Sequence, residues 1–194
     1  MKRALISVYD KTGIVDFARE LGKLGFTIIS TGGTLEKLQE GGVRLVKHVS
    51  EVTKFPEILE GRIKTEHPQL MGGILALRAK KEHMNDLEKF QIEPVDLVVC
   101  NLYPFEKVTK EGADMKTILE NIDIGGPNMI RAAAKNFENV VVIVNSCRYG
   151  QILKEYKKNC EVSVETRKVL AVEAFKETAR YDEAIYRFLE KTRQ

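Results

Sequence analysis

Short apolar segments alternate with amphipathic stretches in this chain, and no other sequence feature constrains the fold as strongly. Residues 4–8 form an apolar run that a polar cluster ends, which is typical of a buried strand. Apolar side chains then recur at three- and four-residue steps over 14–24, which predicts an amphipathic helix capped near Thr12 and stopped by Gly25. Residues 26–29 predict a second strand.

The same alternation continues to residue 144. The further predicted elements are a helix over 35–39, a strand over 43–49 and, after a less regular middle, strands over 95–100 and 140–144 and helices over 115–121 and 128–136. Nearly all-apolar strands separated by helices indicate an α/β fold with a mainly parallel central sheet flanked by helices. Ligands of such sheets bind at the carboxyl ends of the strands, so the residues after each strand are candidates for function.

A helical segment follows over 147–194. From Val164 to about Lys191 the sequence is continuously compatible with a helix, and Tyr181 and Asp182 mark a candidate bend. At 194 residues and without a Pro/Gly/Ser-rich linker, the chain is expected to form a single domain over 1–194.

Charge and cysteine content narrow the classes of function. The net charge is +3, residues 1–144 carry 20 basic and 20 acidic side chains, and tryptophan is absent, which argues against nucleic-acid binding. Cys100, Cys147 and Cys160 lack the spacing of a disulfide framework or a metal site and favour a reducing cytoplasm. No apolar run approaches the roughly 18 residues of a membrane span, and the N-terminal run is too short for a signal peptide.

Two glycines follow the second predicted strand, in the sequence Ser30-Thr31-Gly32-Gly33-Thr34. Backbone amides and hydroxyls that converge at a helix N-terminus are suited to a phosphate group. The alternative is a tight turn whose threonine only caps the helix. These residues leave both interpretations open.

The irregular middle contains a polar run over 61–68. Arg62 and Lys64 on an extended loop would face one ligand, whereas on a helix they would diverge. The alternative is a solvated loop, which the residues alone favour. His67 has no second metal ligand at a suitable spacing and is expected to be structural.

Polar residues also follow the later strands. Asn101 and Tyr103 lie where a parallel sheet presents its ligand groups, whereas Cys100 is expected to be a packing residue. A second Gly-Gly pair precedes the next helix, with Asp123 before it and Lys135 two turns into it. A capping carboxylate and a solvated lysine are the alternatives to a chemical role, but they leave the repeated Gly-Gly unexplained.

Taken together, these segments resemble the inosine monophosphate (IMP) cyclohydrolase domain of the bifunctional purine-biosynthesis enzyme. The matching segments are 4–8 with 10–13, 30–34, 55–57, 61–65 with 67–68, 73–75, 101–105, 122–126 with 131–136, and 178–179 with 181–185. The resemblance covers essentially the whole chain in order. It departs from the family's common residues at Tyr9 (serine), Glu66 (leucine) and Met71 (histidine).

The resemblance implies a methylglyoxal-synthase-like three-layer fold and an enzyme that closes the ring of 5-formamidoimidazole-4-carboxamide ribonucleotide to give IMP and water, the last step of purine biosynthesis. The family's catalytic groups match Lys64, Tyr103, Asp123 and Lys135. Its nucleotide contacts match Tyr9, Lys11, Thr31, Gly32, Gly33, Thr34, Arg62, Thr65, Cys100, Asn101, Ile124 and Gly125.

The resemblance further implies a homodimer and a link to a formyltransferase, whose domain is expected to be absent from this chain. No cofactor or metal is expected, because an intramolecular condensation needs only oriented groups and proton transfer. We expect a cationic pocket built from Lys11, Arg62, Lys64 and Lys135. Asn101 or amides near Gly125 and Gly126 are the candidate oxyanion donors. The alternative functions are a methylglyoxal-synthase-like phosphate lyase and a non-catalytic nucleotide-sensing module.

Overall fold

A five-stranded parallel sheet forms the centre of the computed structural model, which describes residues 1–192. In chain order the strands are β1 (Lys2–Val8), β2 (Phe26–Ser30), β3 (Val46–His48), β4 (Leu97–Asn101) and β5 (Val141–Ile143). Their spatial order is β3-β2-β1-β4-β5, and each neighbouring pair is parallel. The predicted α/β fold with a parallel sheet is confirmed.

Helices flank the sheet. They are α1 (Ile14–Lys23), α2 (Gly32–Glu40), α3 (Val49–Thr53), α4 (Pro68–Leu75), α5 (Lys81–Lys89), α6 (Phe105–Lys110), α7 (Met115–Glu120), α8 (Gly125–Lys135), α9 (Tyr149–Asn159) and α10 (Val164–Lys191). Helix α1 packs against α2 and α9, while α8 packs between α4 and α10. The apolar strands are buried between these helices, as expected for a parallel sheet that is covered by helices on both faces. No helix within residues 1–192 is long and apolar enough to cross a bilayer.

The structure corrects several local predictions. The irregular middle contains α3, α4 and α5, and the short α6 follows β4. The N-cap of α1 lies one residue after Thr12, at Gly13, which has a left-handed conformation, while the Thr12 hydroxyl and amide both donate to Asp10 Oδ1. Helix α10 continues through Tyr181 and Asp182 without a break. Residues 193 and 194 of the predicted helical segment lie outside the described residues.

The strand order brings the carboxyl ends of three strands together. Strands β2 and β4 lie on opposite sides of β1, with Ile6 beside Ser30 and Val8 beside Asn101. Such a reversal of strand order opens a crevice beyond the strand ends, where open α/β sheets bind ligands. The loops after β1, β2 and β4 therefore meet at one edge of the sheet.

Candidate active site

A cavity of about 630 Å³ lies at this edge of the sheet, within the size range of small-molecule sites. Fourteen of the sixteen predicted site residues line it: Tyr9, Lys11, Thr31, Gly32, Gly33, Thr34, Arg62, Lys64, Thr65, Asn101, Tyr103, Asp123, Ile124 and Gly125. The other two, Cys100 and Lys135, do not line it.

The N-terminus of α2 forms one end of the cavity. No side chain caps this helix within the described part of the chain, so its first amides are left for a ligand. Two ammonium groups flank the turn: a Cβ placed on Gly32 would lie 3.7 Å from Lys64 Nζ, and one placed on Gly33 would lie 3.9 Å from Lys11 Nζ. Gly32 also adopts a φ of 53°, which favours glycine. The convergence of amides, helix dipole and two cations is suited to binding an anion.

The two threonine side chains of this turn have other partners. Thr31 donates its hydroxyl to Glu57, so the alternative in which this threonine caps the helix is wrong. Thr34 is buried, and its hydroxyl accepts a hydrogen bond from the Val8 amide at 3.0 Å and donates to the Val8 carbonyl at 2.9 Å. Thr34 therefore ties the end of β1 to α2, and only its backbone amide is left for an anion.

The loop between α3 and α4 supplies basic side chains to the cavity. Lys64 Nζ lies 3.1 Å from Glu57 Oε2, and Arg62 pairs with Glu120. The Glu66 carboxylate folds back to accept the Lys64 and Thr65 amides, each at 3.0 Å. This hydrogen-bonded loop lines the cavity, as a ligand-facing role of Arg62 and Lys64 requires.

Asp123 lies between the loop and α8. Its Oδ1 accepts the Gly126 amide at 2.8 Å, so that amide is not free to bind an oxyanion. Burial raises the pKa of Asp123 above its ordinary value, the neighbouring Glu66 carboxylate raises it further, and the Gly126 and Tyr103 amides oppose the shift. A carboxyl group in this environment can exchange a proton closer to neutral pH than an exposed aspartate can.

Two tyrosines form the wall nearest β4. The Tyr9 and Tyr103 rings meet edge to face with centroids 5.7 Å apart, and both side chains are about half exposed. Asn101 holds the loop after β1 by accepting the Tyr9 and Asp10 amides and donating to the Asp10 carbonyl. Only the second hydrogen of the Asn101 amide group is left for a ligand.

Two predictions of site placement need correction. Cys100 is fully buried in β4, and burial raises the pKa of its thiol, so it packs in the core as the residues alone indicated. Lys135 is exposed at the last residue of α8, whose first residue reaches the cavity. A helix rises 1.5 Å per residue, so the backbone at Lys135 lies about 15 Å from that end. The structure therefore does not place Lys135 in the cationic pocket.

Three residues that support the site were not among the predicted site residues, although the sequence marked Glu66 as a departure from the family. Glu57 contacts both Thr31 and Lys64, Glu66 caps the loop, and the Tyr181 hydroxyl accepts the Asp123 amide at 2.8 Å. The spacing of apolar residues along the sequence does not indicate any of these contacts. Glu57 and Tyr181 lie within matched segments of the resemblance, which was the one available signal. No cluster of three metal-ligating side chains occurs within residues 1–192.

Comparisons with known proteins agree with the fold. Residues 13–128 match the model of the MGS-like domain, and residues 133–194 match that of the AICARFT/IMPCHase bienzyme. The bifunctional purine biosynthesis protein PurH of Persephonella marina is 54% identical over 95% of this chain, and that of Bacillus subtilis is 50% identical over 97%. The chain spans 36% and 37% of the length of these two relatives. A crystal structure of ForH is 32% identical, with a TM-score of 0.84, and the match covers 95% of this chain and 97% of that one.

Proposed function

Because the chain belongs to the MGS-like domain family and its C-terminal part matches the AICARFT/IMPCHase bienzyme, we propose that it is an IMP cyclohydrolase. The reaction would convert 5-formamidoimidazole-4-carboxamide ribonucleotide to IMP and water. A role in purine biosynthesis agrees with the PurH relatives. The observation that carries the proposal is one cavity with an anion site at one end and Lys64, Tyr103 and Asp123 on its walls.

Ring closure joins the carboxamide nitrogen to the formyl carbon. The nitrogen loses a proton as the new C–N bond forms, and the formyl oxygen gains one as it becomes a hydroxyl group. A second N–H proton is then lost, and the hydroxyl leaves as water after it is protonated. Each step needs a positioned proton acceptor or donor, which typically contributes a factor of about 100 to 10,000.

The residues on the cavity walls suit these proton transfers. Ionised Asp123 would accept the N–H proton, because its raised pKa makes it a stronger base than an ordinary aspartate. Lys64 and Tyr103 would donate to the formyl oxygen as negative charge develops there. Binding of the phosphate group at Lys11 and the α2 N-terminus would hold the reacting groups in the cyclising orientation, which lowers the entropic part of the barrier.

Assembly and location remain predictions. We expect a homodimer, a substrate supplied by a formyltransferase domain or protein, and a cytoplasmic location, as the resemblance and the cysteine content indicated. Lys135 also remains a predicted catalytic group of the resemblance. In a single chain it lies outside the cavity.

A direct assay tests the proposed activity. Purified protein mixed with the formamido ribonucleotide should change the ultraviolet absorbance as the purine ring closes. An unchanged spectrum at high enzyme concentration, together with retained IMP binding, would instead favour the nucleotide-sensing module. Release of inorganic phosphate from dihydroxyacetone phosphate would favour the phosphate lyase.

A further inference from the structure

Glu57 lies behind the cavity wall and contacts three side chains from different parts of the fold. One carboxylate oxygen, Oε1, accepts the Thr31 hydroxyl and lies 3.3 Å from His48 Nε2, and the other, Oε2, lies 3.1 Å from Lys64 Nζ. Thr31 follows β2, His48 ends β3, and Lys64 belongs to the loop before α4. Glu57 does not itself line the cavity.

The three contacts supply Glu57 with donors. His48 Nδ1 accepts the Ser50 amide at 3.1 Å, so the neutral ring carries its proton on Nε2, which faces Glu57. Burial alone would raise the pKa of Glu57, but hydrogen bonds from Thr31 and Lys64 and the positive charge of Lys64 outweigh it and lower the pKa. Glu57 is therefore a carboxylate at neutral pH.

Lys64 also depends on a glycine for its position. Gly61 adopts a φ of 86°, and a Cβ placed there would lie 2.7 Å from Lys64 Cε. The lysine stem thus passes directly over Gly61 before its ammonium reaches Glu57. A lysine side chain with four rotatable bonds would otherwise sample many orientations. Glu57 and Gly61 together select the orientation in which Nζ approaches Gly32 at the anion site.

We propose that Glu57 is a positioning residue that holds Lys64 and Thr31 together beside the N-terminus of α2, at the anion-binding end of the nucleotide site. It would act through Lys64 on ring closure and through Thr31 on binding of the phosphate group. The part that concerns turnover rests on the proposed function. The part that concerns binding requires only that the site takes a nucleoside monophosphate.

The direction of the binding change separates positioning from simple electrostatics. A carboxylate that positions nothing would only repel the phosphate group, so Glu57→Gln would tighten IMP binding. Positioning predicts the opposite, an increase in the dissociation constant of about threefold or more. Titration calorimetry with IMP measures the difference. Glu51→Gln is the matched control, because Glu51 caps the His48 amide and contacts neither Lys64 nor Thr31.

Double-mutant cycles test the route of the effect. Glu57→Gln should lower kcat by about tenfold in the wild-type background, and by less than about twofold in the Lys64→Ala background, where there is no ammonium left to position. Likewise, it should weaken IMP binding in the wild type but not in Thr31→Val. Equal losses in both backgrounds, tighter binding, or unchanged kcat and affinity would each overturn the proposal.

The two proposals can fail separately. A wild-type protein that binds IMP but does not close the ring would refute the proposed cyclohydrolase activity. The positioning role of Glu57 would then still be tested by the double-mutant cycle of Glu57 and Thr31 on IMP binding. An active enzyme whose cycles are additive would refute only the positioning role. Circular dichroism and thermal unfolding of Glu57→Gln and Glu57→Ala, compared with the wild type, verify that the measured losses occur in a folded protein.

Discussion

At the scale of single residues, Asp123 shows a conflict between stability and chemistry. The pKa of Asp123 is raised in the folded protein. The contribution of this side chain to stability is therefore fully present below the unfolded pKa of about 3.9, and it is lost as pH rises through the folded pKa. At neutral pH the buried charge is a net cost. Asp123→Asn keeps an oxygen for the Gly126 amide and removes that charge.

We therefore expect Asp123→Asn to leave the melting temperature at pH 7 unchanged or raised, while kcat falls by a factor of roughly 100 or more. Thermal unfolding and the absorbance assay measure the two effects. As pH falls from the folded pKa towards the unfolded value of about 3.9, the gain in melting temperature should shrink and then disappear, because the wild-type side chain is then neutral in both the folded and the unfolded state. A variant that is both active and less stable at pH 7 would contradict this account.

Glu66 is a second residue whose charge and hydrogen bonds can be separated. Its carboxylate raises the pKa of Asp123 and also accepts the Lys64 and Thr65 amides. Glu66→Gln removes the charge but keeps one acceptor oxygen, so the acidic limb of the kcat profile should move to lower pH. Glu66→Leu, which also removes the acceptor, should in addition raise KM several-fold as the loop loosens. A pH profile and KM that are equal in both variants and the wild type would exclude this role.

The sequence predicts the cavity-lining residues better than the residues behind them. Glycine pairs and polar side chains after strands mark the ligand-facing positions because every parallel sheet presents its strand ends in this way. Glu57 and Glu66 act through hydrogen bonds to groups in other segments or to backbone amides, and these contacts exist only after the loop has folded. Lys135 was predicted to reach the site but does not. Helix α8 begins at Gly125, earlier than predicted, so Lys135 at its other end lies away from the cavity.

At the scale of elements, α10 does more than cover the sheet. The Tyr181 hydroxyl accepts the Asp123 amide and donates to the Asn121 carbonyl at 3.2 Å. Burial raises the pKa of Tyr181 to about 12, so it remains a neutral donor over the working range. The helix therefore fixes the backbone from which Asp123 projects.

Tyr181→Phe should lower the free energy of unfolding by about 1–2 kcal/mol, because it leaves the part-buried Asp123 amide without its partner. It should also lower kcat several-fold by loosening Asp123. Denaturant unfolding and steady-state kinetics measure these changes, and Tyr186→Phe on the exposed part of the same helix is the control. Normal turnover by a destabilised Tyr181→Phe would show that α10 supports the fold but not the site.

Element prediction succeeded where apolar periodicity is strong. Strands β2, β4 and β5 are mainly apolar, and α10 extends over 28 residues without proline or glycine. Helix α5 was missed because Leu87 is its one buried residue, and α4 because an apolar run with two glycines lacks a polar face. Tertiary contacts, rather than an amphipathic pattern, decide these short helices.

At the scale of the whole molecule, strand order could not be read from periodicity. The pairing of β1 with β4 joins residues more than 90 positions apart. Together with the pairing of β1 with β2 on its other side, it creates the crevice. The resemblance supplied the fold type as an expectation, but not the strand order. The same crevice also brings cations from separate loops together, although the charges of residues 1–144 balance.

Binding of a nucleotide at this crevice should stabilise the entire fold, since the ligand contacts loops after three strands. At 100 times the dissociation constant, IMP should raise the unfolding free energy by about 2.7 kcal/mol and the melting temperature by about 5–10 °C. Inosine, which lacks the phosphate group, should give a much smaller shift at the same concentration. Lys11→Ala should reduce the IMP shift towards that of inosine, whereas Lys23→Ala, whose ammonium pairs with Glu20 on α1, should not. Equal shifts from IMP and inosine would show that the α2 N-terminus does not bind the phosphate group.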